Sequence, residues 1–365
     1  MLKKAIIAAA IATSLASSTV AAQEDTATVE IVTLGTGGGP TLRANRSQAA
    51  SLVRVGEAYY LMDAGIGTSR QMTLAGVQAQ MLNAVFITHN HADHSQDLVN
   101  IVGARLLARM GEARREEPLA IYGPPGIRAM VDEAVAYALA GPLENFQLFT
   151  GEIPDPAGTF EVYEISTDGV ILDTDGLTVE AIENSHYQLL PANQRETQKS
   201  YSYRLQTDAG VIVFTGDTGP DGAWTEILRN ADVVVAESSN VEAIRAMMAR
   251  AASVSADVDP VIANANQARL ELLINHSTRQ HIPADQLGEL AQGMGVRALI
   301  LNHFGPETDI VGTDQNVAQV RRAYLGQIEV SEDLAQYCLR RSPTEGISTL
   351  TTCPSSAGSD DRGNQ

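Results

Sequence analysis

Cysteine, basic residues and long apolar runs are all scarce in this chain of 365 residues. Its two cysteines, Cys338 and Cys353, exclude a disulfide framework and a zinc site built from four thiolates. Lys and Arg total 25 against 44 Asp and Glu, a formal net charge of -19. Such a surface repels phosphate backbones over its outer field. The densest basic stretch, Arg105 to Arg115, is interleaved with acids at Glu112, Glu116 and Glu117. The charge therefore predicts no nucleic-acid partner. Past the N-terminal region no stretch supplies the ~20 apolar residues a spanning helix needs, which predicts no membrane span. Hydrophobic residues at 44% and charged residues at 19% exclude disorder, collagen or coiled coil as whole-chain readings.

What is present begins with an address. Lys3 and Lys4 precede an apolar, alanine-rich run from Ala5 to Leu15, and Val20 and Ala22 are the small residues before a cleavage site. That three-part layout predicts a signal peptide over residues 1–22 and a periplasmic or secreted protein. An oxidising compartment would favour a Cys338–Cys353 bond over two free thiols.

The remaining chain alternates strand and helix patterns. Strands are expected at Thr28 to Leu34, Ser51 to Val55, Tyr59 to Met62, Ala84 to Thr88, Phe160 to Ile165 and Leu177 to Glu183. Further strands are expected at Ser200 to Gln206, Gly210 to Thr215, Ala231 to Ala236 and Ala298 to Leu301. Helical periodicity covers Asp97 to Met110, Pro125 to Leu139, Val241 to Leu273 and Gln286 to Met294. With no linker or repeat, residues 23–341 predict one α+β domain, two sheets packed together with helices outside. Residues 342–365, rich in Ser, Thr, Gly and Asp, predict a disordered tail. The run Gly35-Thr36-Gly37-Gly38-Gly39-Pro40 lacks the ending of a phosphate-binding loop and reads as a tight turn beside a site.

Three of the seven histidines fall within six residues, in Thr88-His89-Asn90-His91-Ala92-Asp93-His94. Nitrogen and carboxylate ligands concentrated on one post-strand loop fit a metal site, with zinc preferred and iron or manganese acceptable. This heptad resembles the signature loop of the metallo-β-lactamase superfamily. His186 in Asn184-Ser185-His186, Asp217 in Thr215-Gly216-Asp217, and His303 in Leu301-Asn302-His303 follow in that family's order, with Leu34-Gly35-Thr36-Gly37 and Asp63-Ala64-Gly65 upstream.

The resemblance implies an αββα sandwich of two mixed sheets and two zinc ions per chain, with iron or manganese an alternative at the second. His89, His91 and His186 would hold the first ion, Asp93, His94 and His303 the second, and Asp217 would bridge both. Two such ions activate a hydroxide for hydrolysis. The bridging Asp217 favours the ribonuclease Z and arylsulfatase-like branch over true β-lactamases. His281-Ile282-Pro283-Ala284-Asp285-Gln286 resembles that branch's substrate-protonating segment. Asp93 and His281 are thus the candidate catalytic residues, and His276 reads as a non-catalytic loop histidine.

Asp217 follows His186 by 31 residues, too few for the protruding arm of transfer-RNA-processing relatives. The expected substrate is consequently a small-molecule phosphodiester or aryl sulfate, with a lactone or carboxylic ester next. A homodimer is left open, as is a ligand-binding, non-hydrolytic member of the fold. The segments Gly103 to Pro118 and Val241 to His276 look like insertions, either lids or packing helices.

Overall fold

A computed structural model describes residues 27–108, 117–141, 155–256 and 260–353, without the side chains of 251–267. The leader, residues 109–116 of the first expected insertion, and residues 354–365 lie outside the described residues. An eight-stranded sheet runs in the order β15 (Ser348–Thr352), β14 (Ala335–Arg341), β1 (Thr28–Gly35), β2 (Ala50–Val55), β3 (Ala58–Met62), β4 (Leu82–Phe86), β5 (Leu119–Gly123), β6 (Phe160–Glu164). A seven-stranded sheet runs β13 (Gln327–Val330), β12 (Ala298–Asn302), β11 (Val233–Glu237), β10 (Gly210–Phe214), β9 (Tyr201–Thr207), β8 (Leu177–Glu183), β7 (Gly169–Thr174).

The sheets face each other across one apolar layer. Ile31, Val53, Met62 and Phe86 of the first meet Val179, Tyr203, Leu205, Ile212 and Ile300 of the second. Burying each of these large side chains contributes roughly 1.5–3 kcal/mol relative to exposure. The outer faces are apolar too, because alternation along each strand sends every second residue outward. α1 (Thr68–Leu74), α2 (Ala92–Ser95), α3 (Leu98–Ala108) and α4 (Ile127–Ala140) lie along the first sheet. There Met72, Leu98, Ile101, Val102, Ile127 and Val131 cover Leu34, Leu52, Leu61, Val85 and Ile121.

After the short α5 (Ala192–Arg195) come α6 (Val241–Ala256), α7 (Pro260–Arg279), α8 (Ala284–Gly293), α9 (Thr308–Val311) and α10 (Asp314–Val320). Leu287 and Ala291 of α8 and Val320 of α10 cover Val234, Leu299 and Leu301 of the second sheet. The architecture is the expected α+β sandwich. Both sheets mix parallel and antiparallel pairs, and the central β11, Val-Val-Val-Ala-Glu, is buried throughout, as a parallel strand covered on both faces should be.

Pairing explains where the site must fall. In the first sheet β1, β3 and β4 share one direction, and in the second β8, β10, β11 and β12 share one direction. Their carboxyl ends therefore gather at two rims. These rims meet: the Tyr201 N–H donates to Thr88 O at 2.9 Å, the Tyr203 hydroxyl to Ile87 O at 2.7 Å, and the Gly38 N–H to Phe304 O at 2.9 Å.

One expectation changes and another is refined. The segment after Ser342 is not structureless as far as it is described, since β15 pairs with β14 and Cys353 is disulfide-bonded to Cys338. The stretch from Val241 to Leu273 is two helices, α6 and α7, which pack on one another as a hairpin.

Candidate metal centre

Each candidate ligand stands just past a strand end. His89, His91, Asp93 and His94 follow β4, His186 follows β8, Asp217 follows β10 and His303 follows β12. The fold brings all seven together. His89 Nε2 and His91 Nδ1 are 3.0 Å apart, and His186 Nε2 lies 3.3 Å from the same His91 atom. His94 Nε2 and His303 Nε2 are 3.1 Å apart, and Asp93 Oδ2 is 3.3 Å from His303 Nε2. Asp217 sits between the two groups, with Oδ2 3.8 Å from His89 and Oδ1 3.2 and 3.3 Å from His94 and His303. Two clusters, His89/His91/His186/Asp217 and Asp93/His94/Asp217/His303, thus share one carboxylate.

The donor chemistry fits cations at both clusters. The outer ring nitrogens are committed elsewhere: His89 Nδ1 to the Thr88 hydroxyl at 3.1 Å, His94 Nδ1 to Asp63 Oδ2 at 2.8 Å, and His186 Nδ1 to the carbonyl of Gln280 at 2.8 Å. Such outer bonds fix the tautomer that leaves Nε2 a lone pair. The inner ring nitrogens, Nε2 of His89 and His186 with Nδ1 of His91, and Nε2 of His94 with Nε2 of His303, then converge within 3.0–3.3 Å, as donors to a shared ion would. Asp217 Oδ1 is buried and makes no hydrogen bond. Burial, reinforced by neighbouring histidines, holds His89 well below the ordinary histidine pKa, and burial brings His186 down to about 3. Both rings are therefore neutral and able to ligate. Burial alone would raise the Asp217 pKa, but His303 and His94 pull it well below the carboxylate range.

Glycines let the backbone close over these side chains. The Gly39 N–H donates to Asp93 Oδ2 at 2.7 Å, so the glycine run is the turn beside a site that its sequence suggested. His303 itself is held at a φ of 50°, a left-handed conformation rare for a histidine. Strain of this kind gathers at functional sites.

A polar chain adjoins the clusters. His281 Nδ1 bonds Glu237 Oε2 at 2.5 Å, and the Thr218 N–H donates to Glu237 Oε1 at 2.7 Å. Burial alone would lower the His281 pKa, but Glu237 reverses this and raises it to about 9. Glu237, His281, Asp217 and His303 also converge as a group able to hold an ion. However, the His281 nitrogen facing that group is already spent on Glu237.

Two residues here escaped the sequence reading, and a third, His276, was read differently. Glu237 ends β11, and a lone acid closing an otherwise apolar strand was its only signal. Tyr187, buried beside the rings of His89, His91 and His186, carried none. His276 is no loop residue: it occupies the last turn of α7, with Nε2 3.0 Å from His281 Nε2.

A strand-end cluster of histidines and aspartates at the rim of an αββα sandwich defines a metal-dependent hydrolase. The Beta-lactamase superfamily domain profile matches residues 58–304, and the chain belongs to that superfamily. Among curated relatives, a ribonuclease Z of Mycobacterium sp. (strain KMS) is 28% identical over 308 residues, covering 84% of this chain and 94% of that protein. A ribonuclease Z of Mycolicibacterium paratuberculosis is 26% identical over 306 residues, covering 84% and 96%. Among solved structures, the metallo-β-lactamase fold protein YhfI from Bacillus subtilis aligns with TM-score 0.58 at 18% identity, covering 85% of this chain and 99% of that one. The short form of human tRNase Z, ELAC1, aligns with TM-score 0.55 at 17% identity, covering 84% and 98%. The hydrolase is ribonuclease Z-like.

These relatives overturn one expectation, that of a small-molecule ester substrate and no nucleic acid, because they carry the name of a ribonuclease. The inference from net charge failed for a physical reason. A far field is screened within about 8–10 Å at physiological salt, whereas a scissile phosphate meets the local field of its site.

Proposed function

We propose that this chain is a dinuclear-zinc phosphodiesterase that cleaves a phosphodiester bond of RNA. The observation that carries the reading is the pair of histidine–aspartate clusters joined through Asp217, in a chain whose ribonuclease Z relatives are matched over nearly their whole length. His89, His91 and His186 would hold the first ion, Asp93, His94 and His303 the second, and Asp217 both. Bound zinc would supply a water acidified toward neutral pH and positive charge facing the attacked phosphorus.

The chain's own groups have separable tasks. Asp93, fixed by the Gly39 N–H, orients the attacking water and accepts its proton. His281, held by Glu237, gives a proton to the leaving oxygen. Asp63 aligns the site by accepting from the Thr88 N–H at 2.7 Å and from His94. Ser185 and Tyr187, the neighbours of His186 in the chain, line a cavity of about 270 Å3 together with Asn184, Arg195 and Trp224.

The test is a panel of transfer-RNA precursor, single-stranded RNA, bis-4-nitrophenyl phosphate, aryl sulfate and β-lactam, with chelated and zinc-reloaded protein. Zinc-dependent RNA cleavage is expected. Turnover of the sulfate or the β-lactam with inert RNA would sink the assignment. We also place the protein outside the cytoplasm; the leader-like start and the Cys338–Cys353 bond support this, and mass spectrometry of the mature N-terminus tests it.

A further inference from the structure

The hydrogen bonds around His281 leave its second nitrogen one role. Gln280 Nε2 donates to His186 O at 2.9 Å, so Gln280 Oε1 is the end that faces His276 Nδ1, at 2.6 Å. A carbonyl oxygen only accepts, hence His276 carries its proton on Nδ1 and presents a bare Nε2. On the other side, His281 Nδ1 is hydrogen-bonded to Glu237 Oε2, while Glu237 Oε1 accepts from the Thr218 N–H. The two Nε2 atoms are 3.0 Å apart, a hydrogen-bond distance that requires one proton between them. That proton belongs to His281, because His276 has spent its own.

We propose that His276 is a positioning residue for the leaving-group acid: it accepts the Nε2–H of His281 in the resting site and so holds that ring aimed. This rests on the acid role given to His281 above. During cleavage the bond between phosphorus and the leaving oxygen breaks, and that oxygen takes the Nε2 proton of His281 in place of His276. The incoming water supplies the new oxygen on phosphorus and its proton passes to Asp93, so one water is consumed and the charges balance.

The anchorage suits the task. His276, in the last turn of α7, and Gln280, just past its end, are four apart, and the Gln280 N–H also donates to the carbonyl of His276 at 2.9 Å. Gln280 in turn grips both the backbone and the ring of His186. The helical hairpin after β11 therefore reaches the His281 ring through the side chain of His276.

The experiment compares two leaving groups. A ribose oxygen needs a proton to depart, whereas 4-nitrophenolate leaves without one. His276→Ala, with zinc content checked, should slow kcat on RNA at least tenfold more than on bis-4-nitrophenyl phosphate, with KM little changed. His276→Gln, whose amide oxygen can accept from His281, should recover most of the loss, and it guards against a variant that fails to fold. His281→Ala is run beside them. If it slows RNA selectively while His276→Ala slows both substrates equally, or neither, the positioning role is overturned and the acid stands. If His281→Ala shows no leaving-group preference, the acid reading falls and takes this proposal with it.

Discussion

Gly39→Ala should disable the site through a single methyl group. A Cβ built on Gly39 would lie 2.4 Å from both Cγ and Oδ2 of Asp93 and 2.6 Å from its Cβ. Ordinary contact begins about 1 Å further out, so Asp93 or the Gly39 backbone must retreat by about that distance. Asp93 is buried and backs onto His303, and the 2.7 Å bond from the Gly39 N–H would be lost in the retreat. Misplacing a catalytic group by about 1 Å costs on the order of 10²-fold in rate. The assay is hydrolysis of bis-4-nitrophenyl phosphate, which needs no RNA contacts, together with zinc content and far-ultraviolet circular dichroism. A folded protein about a hundredfold slower is expected. Gly293→Ala is the control, because a Cβ there meets nothing within 4 Å. A Gly39→Ala protein with parental kcat and full zinc would refute the reasoning.

The ligand loop was legible in the sequence because metal chemistry is compressed there. His89, His91, Asp93 and His94 need neighbouring positions on one post-strand turn, and so dense a mixture of imidazole and carboxylate has little use except to hold cations. Asp217 and His303 were readable through flanking strand ends, since parallel strands deliver their carboxyl ends to one rim. The proton network was not, because it is assembled by tertiary contact. Glu237, His276 and Gln280 come from a strand end, a helix end and the turn after it, and no spacing rule links a strand-terminal acid to a helix forty residues on. β13, β14 and β15 were missed for a related reason. Their faces are only partly buried, with edge positions such as Gln327 and Thr349 exposed, so the apolar alternation is weak. Charge misled most, because it was summed over the whole chain while the chemistry is local.

Asp217→Asn should abolish turnover and lower zinc content at both clusters, since this carboxylate touches each; elemental analysis that still finds full loading would remove it as the bridge. Chelation should lower Tm by several degrees, because ligands that bind only the folded chain at a hundredfold excess over Kd stabilise it by about 2.7 kcal/mol, and a scan unchanged by chelator would contradict this. Replacing Cys338 and Cys353 together by alanine opens a link of sequence separation 15, which should cost about 3 kcal/mol in denaturant titrations without changing kcat. The last expectation concerns pH. Glu237 raises the His281 pKa to about 9 from an ordinary value near 6.5, so the folded chelated protein binds a proton that the unfolded chain releases between those values. Its stabilising contribution is complete below pH ~6.5, falls as pH rises, and is gone above ~9; over that window it amounts to at most about 3 kcal/mol. Denaturation of chelated protein across pH 6 to 10 should therefore slope downward more steeply in the parent than in His281→Gln. Parallel curves for the two proteins would show that the Glu237–His281 pair does not hold its proton in the folded state.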